Sequence, residues 1–262
     1  MRIALGIQYD GSAFCGWQTQ PHMPNVLDTL EAALAACVTS EVPTICAGRT
    51  DSGVHATHQV VDFDSPVDRP LASWIRGVNT FLPPTVSVRW ARAVPEDFSS
   101  RFTATERTYE YWIYNDPVRS PLLCQHAGWV FRPLDEKKMQ AAANDLLGEH
   151  DFTSFRAAEC QAKSPVRHMN EITVRRTGNM IGIRLRANAF LHHMVRNIVG
   201  CLVYVGTGRE PVEWMKTVLE ARDRKVAAPT FAASGLYLVG VKYPDELELP
   251  GYSPSIWQFP GV

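Results

Sequence analysis

The chain has 262 residues and lacks any apolar run approaching the roughly 20 residues that a membrane-spanning helix needs, which excludes a helical membrane protein. It also lacks a signal-like apolar core at its start. Met1-Arg2-Ile3-Ala4-Leu5-Gly6-Ile7 gives way at once to Gln8-Tyr9-Asp10-Gly11, so a cytoplasmic protein is the expectation. The six cysteines (Cys15, Cys37, Cys46, Cys124, Cys160 and Cys201) include no CxxC and no other close pair. That spacing argues against a disulfide framework and against a zinc site, and leaves reduced structural thiols. Low-complexity tracts and linkers are absent, and a composition of 45% hydrophobic and 20% charged residues is that of a globular chain. The length accommodates one large domain or two small ones. An excess of charge is missing as well: 26 Lys and Arg face 27 Asp and Glu, for a formal net charge of −1.

That near-zero total conceals a segregation. Residues 1–155 carry 12 basic and 18 acidic side chains, whereas 156–209 carry nine basic and two acidic ones. A basic block inside a neutral chain can form a localised polyanion site, because phosphate attraction follows the local field. It can equally be a set of strand faces whose charges pair with acidic residues of the first half.

Hydrophobic periodicity orders the rest. Arg2 to Tyr9 alternates apolar and polar residues into Asp10-Gly11 and predicts a strand, and Val26 to Val38 has helical spacing after the Pro24-Asn25 start signal. Thr44–Ala47 predicts a short buried strand, and a further strand covers Val60–Phe63. A helix spans Leu71–Leu82 and a strand runs from Val86 to Ala93. The same grammar recurs with a strand over Arg107–Asn115 and a helix over Asp135–Leu147. Two alternating strands flank Thr177-Gly178-Asn179, a helix begins at Met194, another segment runs from Pro211 to Ala221, and a last strand covers Gly235–Tyr243. The reading is α+β, as two related halves sharing a continuous antiparallel sheet flanked by helices. The boundaries expected are 1–104 for a first half, 105–245 for a second carrying the basic block, and 246–262 for a tail.

One loop carries chemistry. Gly48-Arg49-Thr50-Asp51-Ser52-Gly53-Val54-His55 places two glycines around a short polar run, where the backbone can turn sharply and a substrate can come close. An aspartate beside a guanidinium stays ionised even when partly buried, and a dry carboxylate is a competent nucleophile or base. The same pattern is also that of a tight turn in which Asp51 caps Gly53 or Val54. His55-Ala56-Thr57-His58 and His192-His193 do not complete a metal site with neighbouring Cys or Asp, so no metal is expected.

The string Gly48–His55 resembles the signature of the TruA family of tRNA pseudouridine synthases. Further blocks appear in family order: Tyr9-Asp10-Gly11-Ser12 with Gly16-Trp17-Gln18, and Arg101-Phe102-Thr103-Ala104 with Arg107 and Tyr109. Asp151–Phe155, Asn188–Asn197 and Gly235–Leu238 complete the series. The resemblance covers residue 9 to residue 238. It implies ferredoxin-like halves, and a reaction in which a uridine at position 38, 39 or 40 of the tRNA anticodon arm is detached and rejoined through carbon 5.

The resemblance assigns the essential carboxylate to Asp51. It does not decide whether Asp51 attacks the ribose, attacks the uracil C6 or removes a proton. Arg49 resembles the family's base-flipping arginine, Tyr109 its active-site tyrosine, and Arg196 the arginine that pairs with the carboxylate. On periodicity alone, Tyr109 reads as a strand core residue and Arg196 as an exposed helix arginine. Leu236 reads as uracil pocket or as core, and Arg101 as a phosphate contact. A homodimer, tRNA rather than DNA as partner, and no cofactor are also implied. Two other classes remain compatible with the residues: an RNA-binding protein without catalysis, and a metal-assisted hydrolase using the histidines.

Overall fold

The computed structural model describes residues 1–255 and Trp257, and the chain divides into two compact units. The first comprises Met1–Glu106 with Tyr237–Ser255, and the second is built on Arg107–Leu236. Along the chain lie β1 (Arg2–Tyr9), α1 (Val26–Val38), β2 (Ile45–Cys46), β3 (His55–Asp64), α2 (Leu71–Phe81) and β4 (Val86–Val94). There follow β5 (Glu106–Asn115), β6 (Gly128–Val130), α3 (Glu136–Ala143), β7 (Gly148–Asp151), β8 (Val166–Thr177) and β9 (Met180–Ala187). The series ends with α4 (Met194–Gly206), α5 (Trp214–Ala221) and β10 (Leu236–Lys242). Mostly antiparallel strands with segregated helices make this an α+β protein, as the hydrophobic pattern predicts.

In the first unit the strand order is β4-β1-β3-β10, with β2 also on β3. Strands β1 and β3 run antiparallel with Ile3 opposite Phe63 and Leu5 opposite Val61, and β4 is antiparallel to β1 on its other side. With β2 on the outer edge of β3, the order of the first four strands is that of a ferredoxin-like βαββαβ unit. Helix α1 starts where the Asn25 side chain accepts from the Asp28 N–H at 2.8 Å, and it buries Leu30 and Leu34 four residues apart.

Two expectations change here. Strand β2 is not a buried strand: it is two residues long and Ile45 is 42% exposed, because it covers only part of one edge. Strand β3 begins at His55, five residues before the apolar run that signals it, and its polar start is fully covered. Burial is tolerated because each polar side chain finds a partner. The His55 Nδ1 accepts from the Gly11 N–H at 3.1 Å while its ring stacks on Tyr237 at 4.6 Å, the Thr57 hydroxyl donates to the Ser253 carbonyl at 2.6 Å, and the His58 Nε2 meets the Pro250 carbonyl at 2.7 Å.

These bonds also explain where the chain's end belongs. Residues 237–245, expected within the second half, lie in the first unit. Strand β10 pairs in parallel with β3 (Tyr237 opposite His55, Leu238 opposite Ala56), and the segment up to Ser255 is tied to both strands.

The second unit has the order β5-β9-β8-β7, with β6 parallel to the end of β5. The β8–β9 hairpin turns through Gly178 (φ 58°) and Asn179, with Thr177 opposite Met180, as predicted. The helix expected over 135–147 shortens to α3 followed by a single 3-10 turn, and Gly148 (φ 92°) turns the chain into β7. Helix α3 packs on β8 and on α4, and α4 is buried on nearly all sides.

Inside this unit Glu110 and Arg184, opposite each other on β5 and β9, form a buried ion pair of 2.8 Å, and the Trp112 indole donates to the same carboxylate at 3.3 Å. Removing one member leaves a buried charge, so Glu110→Ala is expected to cost about 3–5 kcal/mol in urea unfolding. The double change Glu110→Leu with Arg184→Met should cost much less, and equal losses would contradict a paired unit.

Burial holds the His58 imidazole below its ordinary value of 6.5, against the opposing pull of the Pro250 carbonyl. The unfolded chain therefore takes up this proton at a higher pH than the folded one, and stability contributed by neutral His58 is lost as pH falls through about 6.5. The denaturation midpoint should drop between pH 7.5 and 5.5, and His58→Gln should reduce that drop. An unchanged drop would contradict the assignment.

Candidate active site

In the first unit, β2 and β3 form an antiparallel pair, Cys46 opposite Val61, and the Ala47 N–H still donates to the Val60 carbonyl at 2.8 Å. Beyond Ala47 the chain leaves the ladder, and the Gln59 side chain spans the gap. Its amide donates to the Gly48 carbonyl at 2.5 Å, and its oxygen accepts the Gly48 N–H at 3.3 Å. Gln59 is wholly buried, so this bidentate contact substitutes for a strand pairing where none continues.

The segment that follows is held from several sides. The Thr50 carbonyl accepts from the Trp17 N–H at 2.9 Å, and the Thr50 hydroxyl shares a 2.8 Å hydrogen bond with the Tyr9 hydroxyl. The Ser52 hydroxyl and the Gly53 N–H both reach the Phe14 carbonyl at 3.4 Å. Gly16, at φ 95°, passes so close that a Cβ there would sit 2.9 Å from the Thr50 carbonyl oxygen. The turn itself closes through the main chain, the Val54 N–H donating to the Asp51 carbonyl at 3.1 Å, and of its two glycines only Gly53 takes a positive φ (77°).

On this loop Asp51 is half-buried and Arg49 is exposed. Arg101, on the segment after β4, is exposed as well, with its guanidinium 5.2 Å from the Phe102 ring. Arg49 and Arg101 both exert their field on the Cys46 thiol. Burial nevertheless pushes that thiol up to about 12, and the two guanidiniums only partly oppose it.

In the second unit Tyr109 is buried on β5, opposite Leu185, and its ring meets that of Phe190 edge-to-face, with centroids 5.0 Å apart and planes at 81°. Phe190 belongs to the segment that leads through His193, in the left-handed conformation at φ 60°, into α4. Arg196 is not the exposed helix arginine that periodicity suggests. Its Nε donates to the Phe231 carbonyl at 2.8 Å, and the Phe231 N–H returns a bond of 3.2 Å to the Arg196 carbonyl. The segment so gripped continues to Leu236, nearly buried at the start of β10, through the Tyr111 hydroxyl donating to the Ala232 carbonyl and the Trp112 N–H donating to the Gly235 carbonyl, each at 2.8 Å.

The basic block is largely engaged within its own unit. Arg176 pairs with Glu136 at 2.9 Å, Arg184 with Glu110 at 2.8 Å and Arg186 with Glu171 at 3.3 Å. Arg156 and Arg167 donate to main-chain carbonyls, and the Arg209 guanidinium lies 4.1 Å from the centre of the Tyr204 ring. A count of charges therefore overstates the outward field of this stretch. Lys163 and Arg175 are its exposed cations besides Arg209.

The family described as tRNA pseudouridine synthase matches residues 6–103 and 142–244. A tRNA pseudouridine synthase A from Burkholderia vietnamiensis (strain G4 / LMG 22486) is 60% identical over 250 residues, which cover 95% of this chain and 93% of that relative. A protein of the same name from Paraburkholderia xenovorans (strain LB400) is 59% identical over 249 residues, covering 95% and 92%. The chain belongs to the tRNA pseudouridine synthase family. It is thus an isomerase that converts uridine in tRNA to pseudouridine. In this synthase the matched ranges include the Gly48–His55 loop, the segment leading into α4 and the start of β10, whereas Tyr109 lies between them.

Sequence reasoning singled out Asp51, Arg49, Tyr109, Arg196, Leu236 and Arg101. It passed over the groups that hold them: Gln59, Tyr9 with Thr50, Phe190, and the carbonyl of Phe231. A glutamine between His58 and Val60 at the start of an apolar run was a signal for Gln59, and Tyr9, Thr50 and Phe190 stand within the blocks of the family resemblance.

The Cys46 thiol at about 12 is almost wholly protonated at pH 8. Brief iodoacetamide treatment of the native synthase at that pH should alkylate the exposed Cys124 well before Cys46, as read by peptide mass spectrometry. Equal labelling would contradict the buried thiol.

Proposed function

We propose that this synthase acts on uridines at positions 38, 39 and 40 of the tRNA anticodon stem-loop and that Asp51 is its essential carboxylate. The observation that carries the reading is the pairing, on one tightly tethered loop, of a half-buried Asp51 with an exposed Arg49 two residues before it. A uridine held in a stem must leave the stack before its glycosidic bond can be reached, at a cost of a few kcal/mol. Arg49 fills the gap left in the stack and binds phosphate. Tyr109 stacks on the extruded base, a contact worth about 1–3 kcal/mol, which offsets much of the flipping cost.

Cleavage of the bond from N1 to the ribose C1′ depends on the Asp51 carboxylate. The uracil then turns and C5 bonds to C1′; the C5 proton leaves to restore the ring, and N1, freed from C1′, takes up a proton, so that the product is an isomer of the substrate. By family resemblance, Arg196 pairs with the Asp51 carboxylate, Leu236 lines the uracil pocket and Arg101 meets phosphate. That no organic cofactor takes part is what the family resemblance implies. Further parts of the proposal are a homodimer, a cytoplasmic location, and tRNA rather than DNA as the polyanion bound.

Asp51→Ala should abolish pseudouridine formation while leaving tRNA affinity within a few-fold, measured by single-turnover assay and by filter binding. Continued turnover would contradict the role. Arg49→Ala should slow a stem uridine more than a loop uridine, and equal slowing would contradict base flipping.

A further inference from the structure

The Tyr9 hydroxyl is not needed to fill space. The ring is buried beside Trp17, with centroids 6.0 Å apart, and a phenylalanine would occupy the same volume. A buried phenol and a buried threonine hydroxyl each require a partner, and here they satisfy each other over 41 residues of chain at 2.8 Å. Thr50 immediately precedes Asp51. Its carbonyl is already fixed by the Trp17 N–H at 2.9 Å, so the Tyr9 bond adds a second, side-chain tether to the same residue. On the other side, the Asp51 carbonyl is fixed by the Val54 N–H at 3.1 Å. Gly16 closes the remaining direction, since the loop backbone lies against the place a Cβ would take. With Thr50 held at both its carbonyl and its side chain, the direction in which Asp51 leaves the loop is set from outside the loop.

We propose that Tyr9 is a positioning residue for this reaction, acting through its hydrogen bond to Thr50 to aim the Asp51 carboxylate. The inference rests on the reading of Asp51 as the essential carboxylate. In this role Tyr9 acts through Thr50 rather than on a reacting atom. Its effect is on the rate of the chemical step, because a displacement of about 1 Å at a reacting group can cost on the order of a hundredfold in rate.

The test compares single-turnover rates at saturating unmodified tRNA transcript for the wild-type chain, Tyr9→Phe, Thr50→Val, Thr50→Ser, the double variant Tyr9→Phe with Thr50→Val, and Asp51→Ala. Thermal midpoints and tRNA affinity are measured for each. The expected result is a rate at least tenfold lower for Tyr9→Phe and for Thr50→Val, with affinity within twofold of wild type. The double variant should be no slower than either single change, because both remove one bond. Thr50→Ser keeps the hydroxyl and should retain a rate near wild type. A merely structural role would lower the midpoint and leave the rate of the folded enzyme unchanged. A Tyr9→Phe rate within threefold of wild type, with Asp51→Ala inactive, overturns the positioning role and leaves the Asp51 reading intact. An active Asp51→Ala overturns that reading, and the inference with it.

Discussion

Strand β3 offers two hydrogen-bonding edges, and the way its second edge is shared decides where the loop bearing Asp51 can lie. One edge is taken along its length by β1. The other is divided, with β10 pairing at His55 and Ala56 and β2 pairing at Val61 and Asp62. Between the two, among the described residues, lies an interval with no strand partner, and there Gln59 turns its carboxamide to the Gly48 backbone. A buried backbone group left unpaired costs on the order of 1–3 kcal/mol, and the Gln59 carboxamide supplies a partner to both the N–H and the carbonyl of Gly48 where the chain leaves the ladder. The loop that results is detached from the sheet yet tethered at Gly48, Thr50, Ser52 and Gly53. That combination suits a carboxylate which must reach a substrate without drifting.

The second unit solves a related problem with aromatic and ionic contacts. Tyr109 and Phe190 meet nearly at right angles, while the neighbouring Glu110 points to the opposite face and neutralises Arg184 inside the sheet. Alternation along one strand thus separates an aromatic surface from a buried charge pair. Arg196 clamps the backbone at Phe231, and Tyr111 and Trp112 carry that hold along to Leu236.

What could be read from the sequence follows from where local pattern and tertiary environment agree. Helix α1, the β8–β9 hairpin and the Asp51 loop announce themselves through spacing, capping and turn residues within a few positions. The start of β3 does not, because His55, Thr57 and His58 look like loop residues until their partners are known. The partner of His58 lies 192 residues further along the chain. Strands β6 and β7 are too short to leave a period. The basic block misled in the other direction: three of its arginines are spent on Glu110, Glu136 and Glu171, a pairing that no charge count reveals. Among the site residues, Asp51 and Arg49 stand out as a local motif, whereas Tyr109 and Arg196 carry no local sign separating them from core and surface residues. Only the family resemblance picks those two out.

The central claim joins the family's uridine isomerisation to one region of tRNA and one loop of this chain. Its most direct test is chemical mapping of pseudouridine in unmodified tRNA transcripts after incubation with the purified protein. The transcripts should carry uridine at positions 38, 39 or 40, with uridines elsewhere as internal controls. The account predicts new pseudouridine at those three positions and none at the controls. An unmodified anticodon stem-loop across several such tRNAs would contradict it.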